Sequence, residues 1–408
     1  MEDVARRQLE EVVFPFWLEH GIDEVNGGFH TCFDNRGRVR LSTDKFTWSQ
    51  GRFVWVLARA ARLVDLGLLD LSHLGADSPA LVSHAIRGAR FLTDHAIRAD
   101  GTCAYLLDER GRDIPSAEHG AGGTSGRSVY ADCFAAMGLA ELSRQTGDPD
   151  WLATADLIIE RAAADVERGD APTPPYPIPP GFAAFGPRMI ILNARLDQAR
   201  AHQAVYGRAD LGPLRRARDA MLAHRDPATG LFRELIPEDP AGEGTLLATH
   251  HTPGHALEGL WMALEAGGLL DDHAHDAGLL ASVEALCEEG WDHEHGGLFR
   301  YTRPHGDPVG GPYEDLVRRT WHTKLWWVHS EACYTTALAA ALHGASPEWA
   351  RRVWDYTLAT FPARDDGREW IQIRDRRGDP FDQVVALPVK DPYHVTRNLL
   401  QILELHGA

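Results

Sequence analysis

The feature that most constrains the fold is a repeated alternation of helical segments and linkers of two kinds. Apolar residues recur at i, i+3 and i+4 along most of the 408-residue chain. The chain is therefore predicted to be all-α, with about twelve amphipathic helices. These span residues 3–20, 48–66, 80–98, 128–146, 149–168, 187–206, 212–224, 253–267, 274–289, 323–343, 347–361 and 392–406.

The linkers differ according to the helix that they follow. Those after even-numbered helices are plain polar turns, often short. Most of those after odd-numbered helices carry strand-like residues around a turn glycine, as in GGFHTCFDNRGR (27–38) and GTCAYLLDERGR (101–112). Segment 172–187, PTPPYPIPPGFAAFGP, contains too many prolines for a central strand and is predicted to be an ordered loop.

This loose repeat of helix, hairpin, helix and short turn favours antiparallel helix pairs that bury their apolar faces on neighbouring pairs. Six such pairs can close into a ring, which removes exposed ends. We therefore predict an (α/α)6 barrel, a toroid of six helical hairpins, formed by residues 1–408 as a single domain. An open solenoid is the alternative. In the ring, the long linkers and the first turns of the even-numbered helices would meet at one end.

Charge and composition narrow the function. The net charge of −18 argues against nucleic acid and against an anionic membrane as partners, because binding to either needs a basic surface. The N-terminus, MEDVARRQLEE, lacks the apolar core of a signal peptide, and no apolar run reaches the length of a membrane span. The five cysteines are scattered without a CxxC pattern, which indicates the reducing cytoplasm. Either a monomer or a homodimer fits these features.

Polar and aromatic residues concentrate in the first turns of the even-numbered helices, where a purely structural ring needs little beyond capping residues. Aromatic faces stack on sugar rings, and carboxylates, amides and guanidinium groups bind hydroxyls, so this set is typical of a pocket for a small polar ligand. At least one of the two adjacent tryptophans is expected to be core packing, since neighbours on a helix do not share a face. The candidate residues are Trp48, Arg52, Tyr130, Asp132, Asn193, His255, Glu258, Trp326, Trp327, His329, Glu331, His394 and Arg397.

Two of these candidates, His255 and His394, share a register at the start of a helix. Thr252 and Asp391 are good N-caps, the proline after each suits the first helical position, and each histidine then falls at the third. The positive end of the helix dipole disfavours imidazolium, so the pKa of both histidines is expected to be lowered. A neutral histidine is a usable general base near physiological pH. A structural role for both histidines is the alternative.

Two such bases on opposite sides of a substrate could remove a proton from one face and return it to the other. A spacing of three residues places Glu258 beside His255 and Arg397 beside His394. Glu258 is expected to orient or tune His255. Arg397 is expected to hold a substrate oxygen or to favour the neutral form of His394.

Other motifs point to no metal or nucleotide. His250, His251 and His255 resemble a cluster, but their spacing fits no established zinc pattern and straddles a helix start. The glycine-rich segment 120–127, GAGGTSGR, lacks the Lys-Ser/Thr of a P-loop and is predicted to be a flexible loop at the mouth of the pocket. The sequence contains neither a GxSxG motif nor a convincing cysteine nucleophile.

Together these segments resemble the N-acylglucosamine 2-epimerase superfamily, which also includes cellobiose 2-epimerases, mannose isomerases and sulfoquinovose isomerases. The resemblance implies an (α/α)6 barrel and chemistry at C2 of a reducing sugar. It also implies that His255 and His394 act as general acid and base, and that Arg52 and Glu331 shape the same site. The matching pieces, in order along nearly the whole chain, are FWLEHGIDEVNGGFHTCFDNRGR, KFTWSQGRFVW, SVYADCFAAMGLAEL, PGHALEGLW, KLWWVHSEA and KDPYHVTRNLL.

The implied reaction passes through a cis-enediolate. A histidine removes the proton α to the carbonyl of the opened sugar, and Arg52 helps to stabilise the oxygen. Return of the proton to C2 from the opposite face gives the 2-epimer, whereas return to C1 gives the ketose. No metal or redox cofactor is required, since the carbonyl makes the proton acidic. ATP activates some members, but no nucleotide site is recognisable in this sequence.

Two departures from the family pattern bear on the substrate. The cellobiose branch has a histidine where this chain has Asn193, and the usual tail CFHVPRAL is replaced by PYHVTRNL. Asn193 disfavours a disaccharide epimerase, and the QGR and PGHALE segments are similar to the N-acylglucosamine branch, so we expect N-acetylglucosamine and N-acetylmannosamine first. The altered tail keeps epimerisation or isomerisation of free mannose, fructose or glucose as the alternative. Two further alternatives come from other classes. One is a glycoside hydrolase on the same fold, using carboxylates such as Asp132 and Glu331, and the other is a non-catalytic binding protein.

Overall fold

The computed structural model describes residues 1–114, 126–363, 368–385 and 387–407, and all twelve predicted helices are present. Helix α1 consists of Glu2–Arg7, the wider turns of Gln8–Val13, and Phe14–His20. Helix α3 consists of Ser78–Phe91 and a wider turn at Leu92–Ala96. The others are α2 (Thr47–Asp65), α4 (Val129–Thr146), α5 (Pro149–Arg168), α6 (Phe185–Tyr206), α7 (Gly212–Leu222), α8 (Pro253–Leu270), α9 (Asp276–Gly290), α10 (Trp326–His343), α11 (Pro347–Thr360) and α12 (His394–Gly407).

Two short helices were not predicted. They span Leu246–Thr249 in the linker before α8 and Pro312–Thr320 in the linker before α10. Single turns of 3-10 helix lie at Ser72–Leu74 and Pro240–Gly242. Each of these elements covers only one to a few turns, which is too short for an apolar period to stand out in the sequence.

Three two-stranded antiparallel sheets connect neighbouring linkers. Strand β1 (Lys45–Phe46) pairs with β2 (Leu106–Leu107), and β5 (Lys324–Leu325) pairs with β6 (Ile373–Arg374). Strand β3 (Phe182–Ala184) pairs with β4 (Leu235–Pro237), so the proline-rich segment predicted to be a loop ends in a short strand. The sheets place β1, β3 and β5 immediately before α2, α6 and α10, which fixes where these helices begin.

The hairpins predicted within the linkers are reduced to single bridges. Antiparallel bridges join Phe33 to Arg40, Leu107 to Asp113, and Arg374 to Pro380 across three corresponding turns. The turn glycines have left-handed φ values of 66°, 83° and 92°, a conformation that glycine adopts without a steric cost. They are Gly37, Gly111 and Gly378. The recurrence of one turn at three places supports the repeat read from the sequence.

The helices are arranged in two layers that follow their odd and even numbering. Each even-numbered helix contacts the next even-numbered helix, and α12 contacts α2, so these contacts run in a cycle. Each odd-numbered helix packs against a neighbouring even-numbered helix. Residues 131–143 of α4 are all buried, whereas α5 buries one face that includes Leu152, Ala155, Ile159 and Val166. Even-numbered helices are therefore interior and odd-numbered helices are peripheral.

Helices α2 and α4 approach one another at two glycines. A Cβ at Gly51 would lie 2.2 Å from the carbonyl oxygen of Phe134, and a Cβ at Gly138 would lie 2.4 Å from the carbonyl oxygen of Gly51. Both distances are below van der Waals contact, so only glycine allows this backbone spacing. The close approach brings the first turns of the two helices together. None of the described helices has both the length and the apolar composition that a membrane span requires.

Candidate active site

A cavity opens at the N-terminal ends of the even-numbered helices. These first turns were predicted to converge at one end of the ring. The prediction is confirmed, because each of the six helices contributes side chains to the cavity wall. Further wall residues come from the linkers. The helical contributions are Trp48 and Arg52 from α2, Tyr130 and Phe134 from α4, Met189 and Ile190 from α6, His255 and Glu258 from α8, Trp326 and Trp327 from α10, and His394 from α12.

His394 lines this cavity with a partner on each ring nitrogen. Its Nδ1 lies 2.6 Å from Oε1 of Glu331, and its Nε2 lies 3.0 Å from Nη2 of Arg52. A guanidinium group only donates hydrogen bonds, so Nε2 must accept and Nδ1 must carry the proton. The contacts therefore select the neutral imidazole, with its basic lone pair on Nε2.

Asp391 connects the start of α12 to two other residues of the site. Its Oδ2 accepts a hydrogen bond from the backbone N–H of His394 at 3.0 Å, as predicted for an N-cap. The helix begins at His394 itself, two residues later than predicted. Asp391 also accepts bonds from Arg52 Nη1 and Trp326 Nε1, both at 3.1 Å. Burial favours the neutral acid, but the positive charge of Arg52 holds the pKa of Asp391 below its usual value.

His255, the second predicted histidine, is half-buried and pairs with a carboxylate that the sequence reasoning missed. Its Nδ1 lies 3.1 Å from both carboxylate oxygens of Glu234. Burial lowers the pKa of His255, but the charge of Glu234 and the hydrogen bond to it outweigh burial and raise the pKa above its usual value. The prediction of a lowered pKa is therefore wrong for His255. A full negative charge in contact outweighs the partial charge at a helix end.

Glu258 pairs with Arg397 rather than with His255, which lies three residues before it on the same helix, but its charge contributes to the raised pKa of His255, as predicted. Its Oε1 accepts a hydrogen bond at 2.8 Å from Nη2 of Arg397. The same Nη2 of Arg397 also donates to Glu331. Glu258 reaches the cavity wall, but Arg397 does not. The predicted substrate contact of Arg397 is therefore replaced by a buried ion pair.

Glu331 lies behind His394 and does not line the cavity. It accepts hydrogen bonds from Nδ1 of His394, from Arg397, and from Trp261 Nε1 and Asn398 Nδ2, the last two at 2.8 Å. Burial favours the neutral acid, but the charge of Arg397 lowers the pKa of Glu331 and keeps it ionised. Glu331 is thus a positioning residue that fixes the tautomer and orientation of His394.

The remaining wall is largely aromatic. The ring of Trp327 lies 5.0 Å from the ring of His255 and 5.9 Å from that of His394, measured between centroids. The Arg52 guanidinium lies 4.0 Å from the ring centroid of Phe134. Trp48 is 5.2 Å from Tyr130, centroid to centroid. Trp327 therefore packs beside both histidines, and the Arg52 guanidinium packs against the ring of Phe134.

Three further predicted substrate-binding residues, besides Arg397, lie outside the wall. Asp132 accepts a hydrogen bond from the backbone N–H of Cys103 at 2.7 Å, and burial raises its pKa to about 6. His329 accepts from the N–H of Leu298 at 2.9 Å, and burial lowers its pKa to about 3. Asn193 is buried on α6 and is not a wall residue. Asp132 and His329 thus anchor linkers, and none of the three is retained as a substrate contact.

Several wall residues come from linkers and were not predicted. Linker residues have no helical periodicity that would mark them. Their sequence signal was their position in the long linkers, which were predicted to meet at this end of the ring. Part of segment 120–127, predicted to be a loop at the pocket mouth, lies outside the described residues. They include Tyr176, Glu234, Arg300, Tyr301 and Tyr313.

His250, His251 and His255, which resemble a cluster in the sequence, have separate partners in the structure. Nδ1 of His250 donates to the carbonyl oxygen of Leu246 at 3.1 Å, and Nδ1 of His251 lies 2.7 Å from Glu289. His255 is held by Glu234, as described above. Among the described residues, the ligand atoms of Glu258, Glu331 and His394 lie within 4.8 Å of one another, but Arg397 pairs with both carboxylates. A guanidinium therefore already supplies the positive charge there.

The fold is shared with solved structures of carbohydrate-active enzymes. The cellobiose 2-epimerase of Bacillus thermoamylovorans B4167 superposes with a TM-score of 0.77 at 18% identity, over 99% of this chain and 98% of its own. A D-mannose isomerase superposes with a TM-score of 0.71 at 15% identity, over 99% of this chain and 96% of its own. At these identities the likeness establishes the helical fold alone.

The sequence comparison is more specific than the fold. The profile of the family described as N-acylglucosamine 2-epimerase (GlcNAc 2-epimerase) matches residues 27–397, and the chain belongs to this family. An N-acylglucosamine 2-epimerase of Bos taurus is 29% identical over 417 residues, covering 99% of this chain and 90% of its own. The protein is therefore a carbohydrate epimerase, an enzyme of the isomerase class.

Proposed function

We propose that the protein epimerises C2 of a reducing monosaccharide of the N-acylglucosamine type through a cis-enediolate. The observation that carries the proposal is a pair of histidines in one cavity, each paired with a carboxylate through Nδ1. Nε2 of His394 accepts from Arg52, whereas the charge of Glu234 raises the pKa of His255. One histidine is thus suited to take a proton and the other to give one.

His394 is the proposed general base in the resting enzyme. Its Nδ1–H is committed to Glu331, so Nε2 is the nitrogen that accepts the proton, and the Arg52 N–H that bonds to Nε2 in the resting site turns to the substrate oxygen before the transfer. Once Nε2 is protonated, the nearby carboxylate stabilises the imidazolium. A positioned general base contributes about 100- to 10,000-fold to the rate of proton transfer.

His255 is the proposed general acid. Glu234 favours its charged form, and the pairing through Nδ1 leaves Nε2 to act as the donor. Donation of this proton to C2 from the face opposite to His394 completes the inversion. Each turnover leaves the two histidines with exchanged protonation states, and solvent exchange resets them.

Arg52 is the proposed electrostatic stabiliser of the enediolate. Its guanidinium lines the cavity beside Nε2 of His394, and its pairing with Asp391 fixes its direction. A fixed cation next to the base lies where negative charge develops on the substrate oxygen. We propose that no metal or redox cofactor takes part, because the carbonyl makes the C2 proton acidic. A nucleotide activator remains a prediction without a recognised site.

Architecture and location complete the proposal. We infer that the twelve helices form a closed (α/α)6 barrel and one catalytic domain, because the contacts of the even-numbered helices return from α12 to α2. A cytoplasmic location remains a prediction, supported by five cysteines that are all unpaired and buried.

The carboxylates predicted for the hydrolase alternative do not face the cavity. An inverting hydrolase needs two carboxyl groups facing the scissile bond, yet Asp132 and Glu331 are not wall residues. The two carboxylates that do reach the wall are engaged, Glu234 by His255 and Glu258 by Arg397. Aldose–ketose isomerisation shares the enediolate and is the second candidate, since a base beside C2 could return the proton to C1.

The test uses proton NMR in D2O with N-acetylglucosamine, N-acetylmannosamine, glucose, mannose and fructose in separate tubes. We expect deuterium at C2 together with growth of the 2-epimer, and a loss of epimerisation of about 100- to 10,000-fold in His394→Asn and in His255→Asn. His343→Asn, an exposed histidine at the far end of α10, is the control. Unimpaired epimerisation in either active-site variant would refute the two-histidine proposal.

A further inference from the structure

A second arginine, Arg300, lines the cavity and has a different environment from Arg52. It is 2% exposed, so its guanidinium is removed from bulk water. Nη1 donates to Thr320 Oγ1 at 3.2 Å, and Nη2 donates to the hydroxyl of Tyr176 at 3.4 Å. The guanidinium also lies 5.0 Å from the ring centroid of Tyr301. All of these partners are neutral.

Every other charged side chain at the site has an opposite charge in contact. Among the described residues, no carboxylate lies within ion-pair distance of Arg300, whereas Arg52 is paired with Asp391 at 3.1 Å. The carboxylates of the site are already matched with other cations. Their pairs are Glu234 with His255, Glu258 with Arg397, Glu331 with His394 and Arg397, and Asp391 with Arg52.

A buried cation without a counter-charge is unfavourable in the free protein, because desolvation is not offset by an ion pair. Guanidinium groups carry five N–H donors in a planar fork that matches the two oxygens of an oxyanion. The hydrogen bonds of Arg300 go to neutral hydroxyl groups, and those to Thr320 and Tyr176 are long, so the fork is not saturated by charged acceptors. A ligand that enters the cavity with an oxyanion would supply the missing counter-charge.

We propose that Arg300 and Tyr176 form a subsite for an oxyanion on the substrate, a carboxylate, sulfonate or phosphate group carried by the sugar outside C1 and C2. This inference rests on the proposed 2-epimerase and adds the chemical class of its substituent. Arg300 lies on the His255 side of the cavity, because Thr302, two residues after it, pairs with His251 in an antiparallel bridge. The subsite would orient the sugar by its substituent while the histidines act at C2.

Tyr176 gives the subsite a fixed frame. Its hydroxyl donates to the carbonyl oxygen of Val385 at 3.0 Å and accepts from Arg300. It therefore ties the proline-rich linker and the linker before α12 to the same guanidinium. The hydroxyl groups of Tyr301 and Tyr313 belong to residues of the same wall and offer further donors to an anion.

The experiment measures binding by isothermal titration calorimetry, using matched neutral and anionic sugars. The neutral sugars are glucose and N-acetylglucosamine. The anionic ones are glucuronate, 6-deoxy-6-sulfoglucose, glucose 6-phosphate and N-acetylglucosamine 6-phosphate. We expect at least one anionic sugar to bind about 10- to 100-fold more tightly than its neutral counterpart, the range that a hydrogen-bonded charge provides. The preferred anion identifies the substituent.

Variants of Arg300 assign the preference to the guanidinium. Arg300→Gln is expected to abolish the preference by weakening the binding of the anionic sugar, whereas Arg300→Lys, which keeps the charge but not the fork, retains part of the preference. Arg319→Gln, an exposed arginine nearby, is the matched control and should bind as wild type does. Should Arg300→Gln not fold, the comparison of sugars on wild type and on Arg300→Lys still decides.

The outcomes separate this inference from the proposed function. Equal binding of neutral and anionic sugars by wild type, or equal losses for both in Arg300→Gln, would overturn the oxyanion subsite. If neutral sugars then still exchange the C2 proton in D2O, the epimerase proposal stands alone. If anionic sugars bind in an Arg300-dependent way but no sugar exchanges its C2 proton, the subsite stands and the proposed reaction falls.

Discussion

Replacing Glu234 with Gln tests the assignment of His255 as the acid. The amide keeps the size of the side chain and an oxygen that accepts from Nδ1 of His255, but it removes the negative charge. That charge raises the pKa of His255, so its loss lowers the pKa. A general acid is active only while it is protonated, and activity is lost as the pH rises through its pKa. The alkaline limb of kcat/KM should therefore move to lower pH in the variant.

The size of the effect follows from the pairing of Glu234 with His255. Two unit charges about 4 Å apart attract by about 4 kcal/mol at an effective dielectric constant of about 20. The His255 side chain is 29% exposed and the carboxylate 7%, so partial screening by water reduces the attraction. We therefore take the attraction that is lost to be about 2 kcal/mol. Because about 1.4 kcal/mol corresponds to a tenfold change, kcat/KM of Glu234→Gln should be about 30-fold below that of wild type at pH values above the alkaline limbs of both enzymes.

The assay is the pH dependence of kcat/KM for epimerisation, measured for wild type, Glu234→Gln and a control. Glu238→Gln is the matched control, because Glu238 is exposed in the same linker. Its profile should superpose on that of wild type. An alkaline limb that stays in place, or moves to higher pH, would refute the role of Glu234. A uniform loss at every pH would show that Glu234 only positions His255.

Three further substitutions test the wall and the fold. Trp327→Ala should lower kcat/KM by about tenfold and Trp327→Phe by less, because the ring packs beside both histidines and stacked rings contribute about 0.5–1.5 kcal/mol; equal losses would contradict this. Asp132→Asn should leave kcat/KM within about threefold of wild type. The substitution weakens the buried acceptor of the Cys103 N–H, so urea denaturation should show a free energy of unfolding about 1–3 kcal/mol lower. Near-total inactivation would favour the hydrolase. Gly138→Ala should cost about 1–3 kcal/mol in the same denaturation assay, because its Cβ would lie 2.4 Å from a carbonyl oxygen of α2; an unchanged midpoint would contradict the close packing.

The helices were predictable because their signals are local. Apolar period and turn residues located all twelve, and Asp391 caps α12 as its residue type suggests. The pairing of strands was not predictable. Strand β1 joins a segment about sixty residues away at β2, and strands of two or three residues have no alternation to read. The hairpin turns were recognisable, but the sheets that connect separate linkers depend on the closure of the whole fold.

The site was predictable to the level of helix starts and not to the level of helix faces. Trp48 and Arg52 are four residues apart and share a face, and both reach the cavity. Asp132 is only two residues from Tyr130, which places it on the other side of α4, against Cys103. A sequence shows that a first turn is polar, but the rotation of the helix about its axis is set by packing. Glu234 and Arg300 could not be found this way, because linker residues have no periodicity.

The measurement that tests the central claim most directly is C2 proton exchange in D2O without turnover. Histidines on opposite faces of C2 predict that His255→Asn exchanges the C2 proton of one epimer without forming the other, because His394 remains able to remove and return it. His394→Asn should lack that exchange and be confined to the other epimer. Exchange of the same epimer in both variants, or epimerisation by wild type without deuterium entering C2, would contradict the account.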